Sequence, residues 1–70
     1  MKQKESEQTF NVECIYEDES TFEFQVKLEG TESENLGILM MITRGTLMAS
    51  SAIIATAYNA DFTPVVIYRK

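Results

Sequence analysis

Between Leu36 and Tyr58, 23 residues, the only charged side chain is Arg44. A stretch that apolar must bury most of its surface, and it dictates what the rest of the chain can do. Its spacing predicts one helix from about 32 to 58, nearly 40 Å long at about 1.5 Å per residue. Thr31 followed by Glu34 fits a capping box at its start, with Ser33 as a rival cap. Glu32 and Glu34 would sit at the positive end of the helix dipole. Asn59 is placed to take the left-handed conformation that ends it.

At about 100° per residue the run shows two apolar stripes. Leu36, Met40, Leu47, Ile54 and Tyr58 form one. Ile38, Ile42, Ala49, Ile53 and Ala60 form another, nearly opposite. Leu39, Thr43, Thr46, Ser50 and Ala57 make a mixed face between them. Gly45, Ala49, Ala52 and Thr56 line up beside the second stripe, and small residues at such spacing let another backbone approach closely.

The preceding half alternates instead. Phe10, Val12, Cys14 and Tyr16 share one face of residues 9–16. Phe22, Phe24, Val26 and Leu28 share one face of residues 21–28, with Glu23, Gln25 and Lys27 on the other. Period two with aromatic and β-branched residues predicts a hairpin with one wet face. Both apolar sets must face one core, which restricts the register. Setting Glu13 opposite Glu23 would oppose like charges. The expected register therefore sets Glu13 against Gln25, Asn11 against Lys27 and Cys14 against Phe24, with Glu17 to Thr21 as the loop.

Residues 1–8 are polar and unpatterned and are expected to be a flexible tail before a single domain over 9–70. Phe62 to Arg69 reads as a last strand, with Pro64 at its start, where a missing donor matters least. The expected fold is α+β: a β-β-α-β chain with a three-stranded, mostly antiparallel sheet in order 2-1-3. One long apolar helix would cover one face. A parallel placement of the last strand beside the second is the alternative.

Composition narrows the function. Residues 1–35 hold ten acids and three bases, −7, and residues 36–70 hold one acid and three bases, +2. The net charge of −5 disfavours direct binding of nucleic acid, which needs a basic patch. There is no histidine, the commonest general base, and a lone cysteine cannot form an intramolecular disulfide. Cys14 reads as a small buried hydrophobe. No nucleotide-binding, P-loop or CxxC motif occurs. Glu13 and Glu23 on an exposed face are poorly placed to act as an acid–base pair, because raising a carboxyl pKa needs desolvation. Glu17-Asp18-Glu19 lacks the glycine and ligand spacing of a calcium loop. Neither enzyme activity, a cofactor nor a metal is expected. The polar start, Met-Lys-Gln-Lys-Glu, lacks the apolar core of a signal peptide and points to the cytoplasm.

One helix cannot bury both stripes on one sheet, so the second stripe needs a partner. A second copy is the simplest, since twofold pairs are the commonest soluble assembly. The expected interface is Ile38, Ile42, Gly45, Ala49, Ala52, Ile53 and Thr56. Glu13, Glu17, Asp18, Glu19 and Glu23 form an expected acidic face toward an unknown protein partner. The function expected is therefore binding or occlusion by a helix-mediated homodimer. In size and acidity the chain resembles small accessory proteins of bacteria and phages, a likeness that supplies no functional residue. Two alternatives stand beside it: an acidic mimic of DNA that inhibits a nucleic-acid-binding protein, and a small single-span membrane protein. Arg44, two glycines and six hydroxyl residues within 36–58 weigh against the span.

Overall fold

A computed structural model describes residues 6–70. Strands β1 (Ser6–Ile15) and β2 (Thr21–Gly30) precede helix α1 (Glu32–Ala49), and strands β3 (Ile54–Tyr58) and β4 (Pro64–Arg69) follow it. They form one four-stranded sheet in the order β2-β1-β3-β4, every neighbouring pair antiparallel. The α+β class stands, but the sheet has four strands rather than three. Of the expected tail, residues 1–5 lie outside the described residues, and Ser6 to Gln8 belong to β1, opposite Gly30 to Leu28.

The helix begins at the expected cap. Thr31 Oγ1 accepts the Glu34 N–H at 3.2 Å, and the Thr31 N–H donates to Glu34 Oε1 at 3.0 Å. Gly30 precedes it with φ of 152°, where a side chain would be strained and its Cβ would meet Asn35 Oδ1 at 3.1 Å.

The helix has 18 residues and stops at Ala49, well short of 58. Ser50 is the C-cap, in extended conformation, and its Oγ accepts the Ala52 N–H at 3.2 Å. Lys70 Nζ donates to the Ser50 carbonyl at 2.6 Å, satisfying an acceptor near the helix end. Beyond it the run Ile-Ala-Thr-Ala-Tyr also fits period two, and its β-branched residues favour a strand. It forms β3, which takes the place beside β1 expected for the last strand. The last strand, β4, starts at Pro64 rather than Phe62 and pairs with β3.

The β1–β2 register differs from the expected one, because Glu13 lies directly opposite Glu23 and Cys14 opposite Phe22. Turn chemistry explains it. The Glu19 N–H donates to the Tyr16 carbonyl at 2.9 Å, and the Tyr16 N–H to the Ser20 carbonyl at 3.0 Å. Glu19 is left-handed, with φ of 73°. This is the three-residue hairpin loop of a turn plus a left-handed residue. Asp18 Oδ1 accepts both the Ser20 N–H (3.0 Å) and its hydroxyl (2.6 Å), bracing it. A like-charge pair across two strands costs only about 0.2–1 kcal/mol, too little to displace that turn.

The core lies between the sheet and α1. Phe10, Val12, Leu39, Ala57 and Val66 form one buried cluster, and Cys14, Leu47, Ala52 and Ala55 another. The inward row of α1 is Asn35, Leu39, Thr43 and Leu47. Leu39 and Thr43 belong to the face read as mixed, so that face, rather than either apolar stripe, lies at the centre of the packing. Its polar members are mostly satisfied: Thr43 Oγ1 donates to the Leu39 carbonyl at 2.7 Å, and Asn35 Nδ2 donates to Gln8 Oε1.

Candidate interaction surface

Because the inward row runs between the stripes, each stripe becomes a half-covered flank. Large apolar side chains remain in solvent along α1: Leu36, Ile38 and Met40 are exposed, Met41 is 74% exposed and Met48 67%. Gly37 and Gly45 also face outward, and a Cβ added at either would meet nothing within 4 Å. Nothing among the described residues therefore calls for glycine there, although each costs a helix up to about 1 kcal/mol relative to alanine.

One flank adjoins β2. A groove of about 530 Å³ there is lined by Glu29, Ser33, Glu34, Gly37, Ile38 and Met41. Helical periodicity places Ile42 and Ala49 farther along the same flank. Below it the α1-side residues of β2 are poorly covered. Phe22 is 55% exposed, and Phe24, Val26 and Leu28 are half-buried. The Phe22 and Phe24 rings lie 6.0 Å apart, tilted by 40°. Helix flank and edge strand thus make one apolar margin on the β2 side.

The structure divides the expected interface. Ile38, Gly45 and Ala49 are exposed and Ile42 is half-buried, all on α1. Ala52, Ile53 and Thr56 are not on the helix. Ala52 is buried in the core. Ile53 lies just before β3, where its N–H donates to the Ile15 carbonyl at 2.8 Å. Thr56 is buried in β3, opposite Glu13 of β1 and Ile67 of β4. The line of small residues is broken between Ala49 and Ala52. The surface that the sequence reading missed is β2 itself: its apolar face was read as core, and only the position of β2 at the sheet edge leaves it open.

The acidic residues lie on the sheet face away from α1 and at the hairpin tip. Glu13 is half-buried and accepts from the Tyr58 hydroxyl at 3.2 Å. Burial first, then the Glu13 charge, pushes the Tyr58 phenol up. Glu23 is exposed, as are Glu17, Asp18 and Glu19. Hydrogen bonds from Ser20 hold the Asp18 carboxyl below its usual value. Cys14 is buried, and burial raises its thiol pKa, with a further push from Glu13.

Among the described residues no group of three or more His, Cys, Asp or Glu is placed to hold a metal ion. No helix there is long and apolar enough to cross a membrane. Comparison with protein-family models, curated proteins and solved structures found no match to this chain.

Proposed function

We propose that this chain is a non-catalytic interaction protein that self-associates and works by binding or occluding a protein partner. One observation carries the reading: large apolar side chains stand in solvent on α1 and β2, beside a sheet whose core is already closed. Exposed apolar patches of that kind mark contact surfaces in small soluble domains. The margin of Ile38, Met41, Ile42, Phe22 and Phe24 is the surface that a second copy covers. Self-association also adds buried area to a 70-residue chain, which has little core of its own. A cytoplasmic location belongs to the same reading, in keeping with a single, buried cysteine.

The test is the solution mass by light scattering behind a sizing column, without detergent, at low and physiological salt. A dimer that survives physiological salt is the expected result, since apolar burial is insensitive to screening. A monomer at every concentration overturns self-association.

A second reading, the acidic mimic, is favoured by one feature. Glu13 opposes Glu23 and Glu7 opposes Glu29, so carboxylates are crowded on one sheet face at some cost to the fold. A basic protein would relieve that repulsion. The reading requires binding to a basic partner that weakens steeply with salt and is lost in Glu13→Lys.

A further inference from the structure

The two edges of the sheet differ in how they are protected. The β4 edge begins with Pro64, is interrupted by a register shift at Ala57/Tyr58, and ends in Arg69. Proline, bulges and terminal charges are the usual guards of an edge strand. The β2 edge has ten residues, no proline, an unbroken register with β1 and an apolar side that is half open. Tyr16 and Ser20 form a hydrogen-bonded pair, and such pairs alternate along an antiparallel ladder. The even-numbered residues of β2 thus bond to β1. The N–H and C=O groups of Thr21, Glu23, Gln25, Lys27 and Glu29 point away from the sheet.

We infer that this free edge pairs, antiparallel, with β2 of a second copy across a twofold axis at Gln25. The inference rests on the self-association proposed above and names its contact. Its register follows from charge. With Gln25 opposite itself, Glu23 opposes Lys27 of the second copy, Lys27 opposes its Glu23, and Thr21 opposes Glu29. Shifting the axis to Val26 sets Glu23 against Glu29, and shifting it two residues from Gln25 sets Glu23 against itself or Lys27 against itself. The Gln25 register pairs Thr21 through Glu29, nine of the ten residues of β2, whereas an axis at Phe24 shortens the ladder to Thr21 through Lys27. On the α1 side the same register brings Phe24 against Val26 and Phe22 against Leu28, covering the apolar residues this chain leaves open. Among the described residues the result is one eight-stranded sheet with the two guarded β4 strands at its edges. The occupant is a second copy because β2 is complementary to itself in charge, length and apolar face at once.

The test is a charge swap read by sedimentation equilibrium on the full chain. Glu23→Lys and Lys27→Glu should each weaken the dimer about tenfold, because each places like charges opposite one another twice per dimer. The double variant should return close to the original affinity. Both side chains lie on exposed positions, so circular dichroism should show intact folds. A second measurement needs no variant: amide exchange at Thr21, Glu23, Gln25, Lys27 and Glu29 should slow as concentration rises through the dimer range. Singles that leave the dimer unchanged, a double variant as weak as the singles, or a dimer whose five amides stay unprotected each overturn this contact while leaving self-association standing. A chain that remains monomeric overturns both.

Discussion

The β1–β2 and β3–β4 hairpins turn through loops of the same design. In the second, the Phe62 N–H donates to the Asn59 carbonyl at 2.9 Å and the Asn59 N–H to the Thr63 carbonyl at 2.9 Å, matching the bonds around Tyr16 and Ser20. Each loop has a left-handed third residue, Glu19 at φ 73° and Phe62 at φ 61°, and neither is glycine. The strands that leave these turns differ. From the second, β4 runs over a helix-covered half of the sheet, against small residues Ala55 and Ala57. From the first, β2 carries an exposed Phe22 and a half-buried Phe24 at the edge of the sheet. Small side chains under a helix permit close packing, whereas large ones at an open edge leave apolar surface in solvent. The hairpin that looks complete alone is the one with alanines in it.

The largest effect expected is therefore at β3. Ala57 is fully buried against Phe10, Val12, Leu39 and Val66, and Ala57→Leu should lower unfolding stability by about 2 kcal/mol, as overpacking a closed core does. Phe22→Ala removes more atoms yet should cost the dilute monomer less than about 1 kcal/mol, because Phe22 is already mostly in solvent. Urea midpoints at low concentration check both. Equal losses would mean that β2 is covered as well as β3.

The two turns supply the next contrast. Phe62 pairs a left-handed backbone with a side chain 66% exposed, so it contributes little packing in return for its strain. Phe62→Gly should raise stability by about 1 kcal/mol. Glu19→Gly should gain only some tenths to about 1 kcal/mol, since a non-branched polar residue tolerates that conformation better than an aromatic one. A loss on Phe62→Gly, seen in the same midpoints, would show that the ring packs more usefully than its exposure implies.

These contrasts also show which parts of the fold the sequence carried. The alternation at Phe22, Phe24, Val26 and Leu28 and the cap at Thr31 and Glu34 were legible, because each rests on residues a few positions apart. The end of α1 was not. The residues Ile54 to Tyr58 satisfy both a helical and an alternating period, and Ser50 with Ser51 is a weak stop signal beside so apolar a run. The inward helix row was hidden because Asn35 and Thr43 are polar; their hydrogen bonds, which make burial tolerable, are visible only in three dimensions. The β1–β2 register turned on Asp18 and Ser20, a side-chain-to-backbone signal two residues apart that outweighs a repulsion between Glu13 and Glu23. Of the candidate surface, Ile38, Ile42, Gly45 and Ala49 could be read from helical spacing. The openness of β2 could not, since it depends on where α1 comes to rest.

The smallest expected effect separates the two turns by pH. The first is braced by a carboxylate, with Asp18 Oδ1 accepting from Ser20. The second is braced by an amide, with Asn59 Oδ1 accepting the Asp61 N–H at 2.9 Å and the Thr63 N–H at 3.0 Å. The Ser20 hydrogen bonds hold the Asp18 carboxyl below its ordinary value of 3.8. A group depressed on folding stabilises the fold above its unfolded pKa and loses that contribution as pH falls through the folded one. Acidification below about 3.8 should therefore loosen the Glu17–Ser20 turn while the Asn59–Thr63 turn stays closed. The readout is the amide chemical shift and exchange rate of Ser20 against Thr63 during an acid titration. Asp18 is fully exposed, so the change should stay local rather than unfold the chain. Asp18→Asn should keep the turn and remove its acid limb. If Ser20 and Thr63 instead move together in the unaltered chain, acid is opening the whole sheet, and the two turns are not independent units.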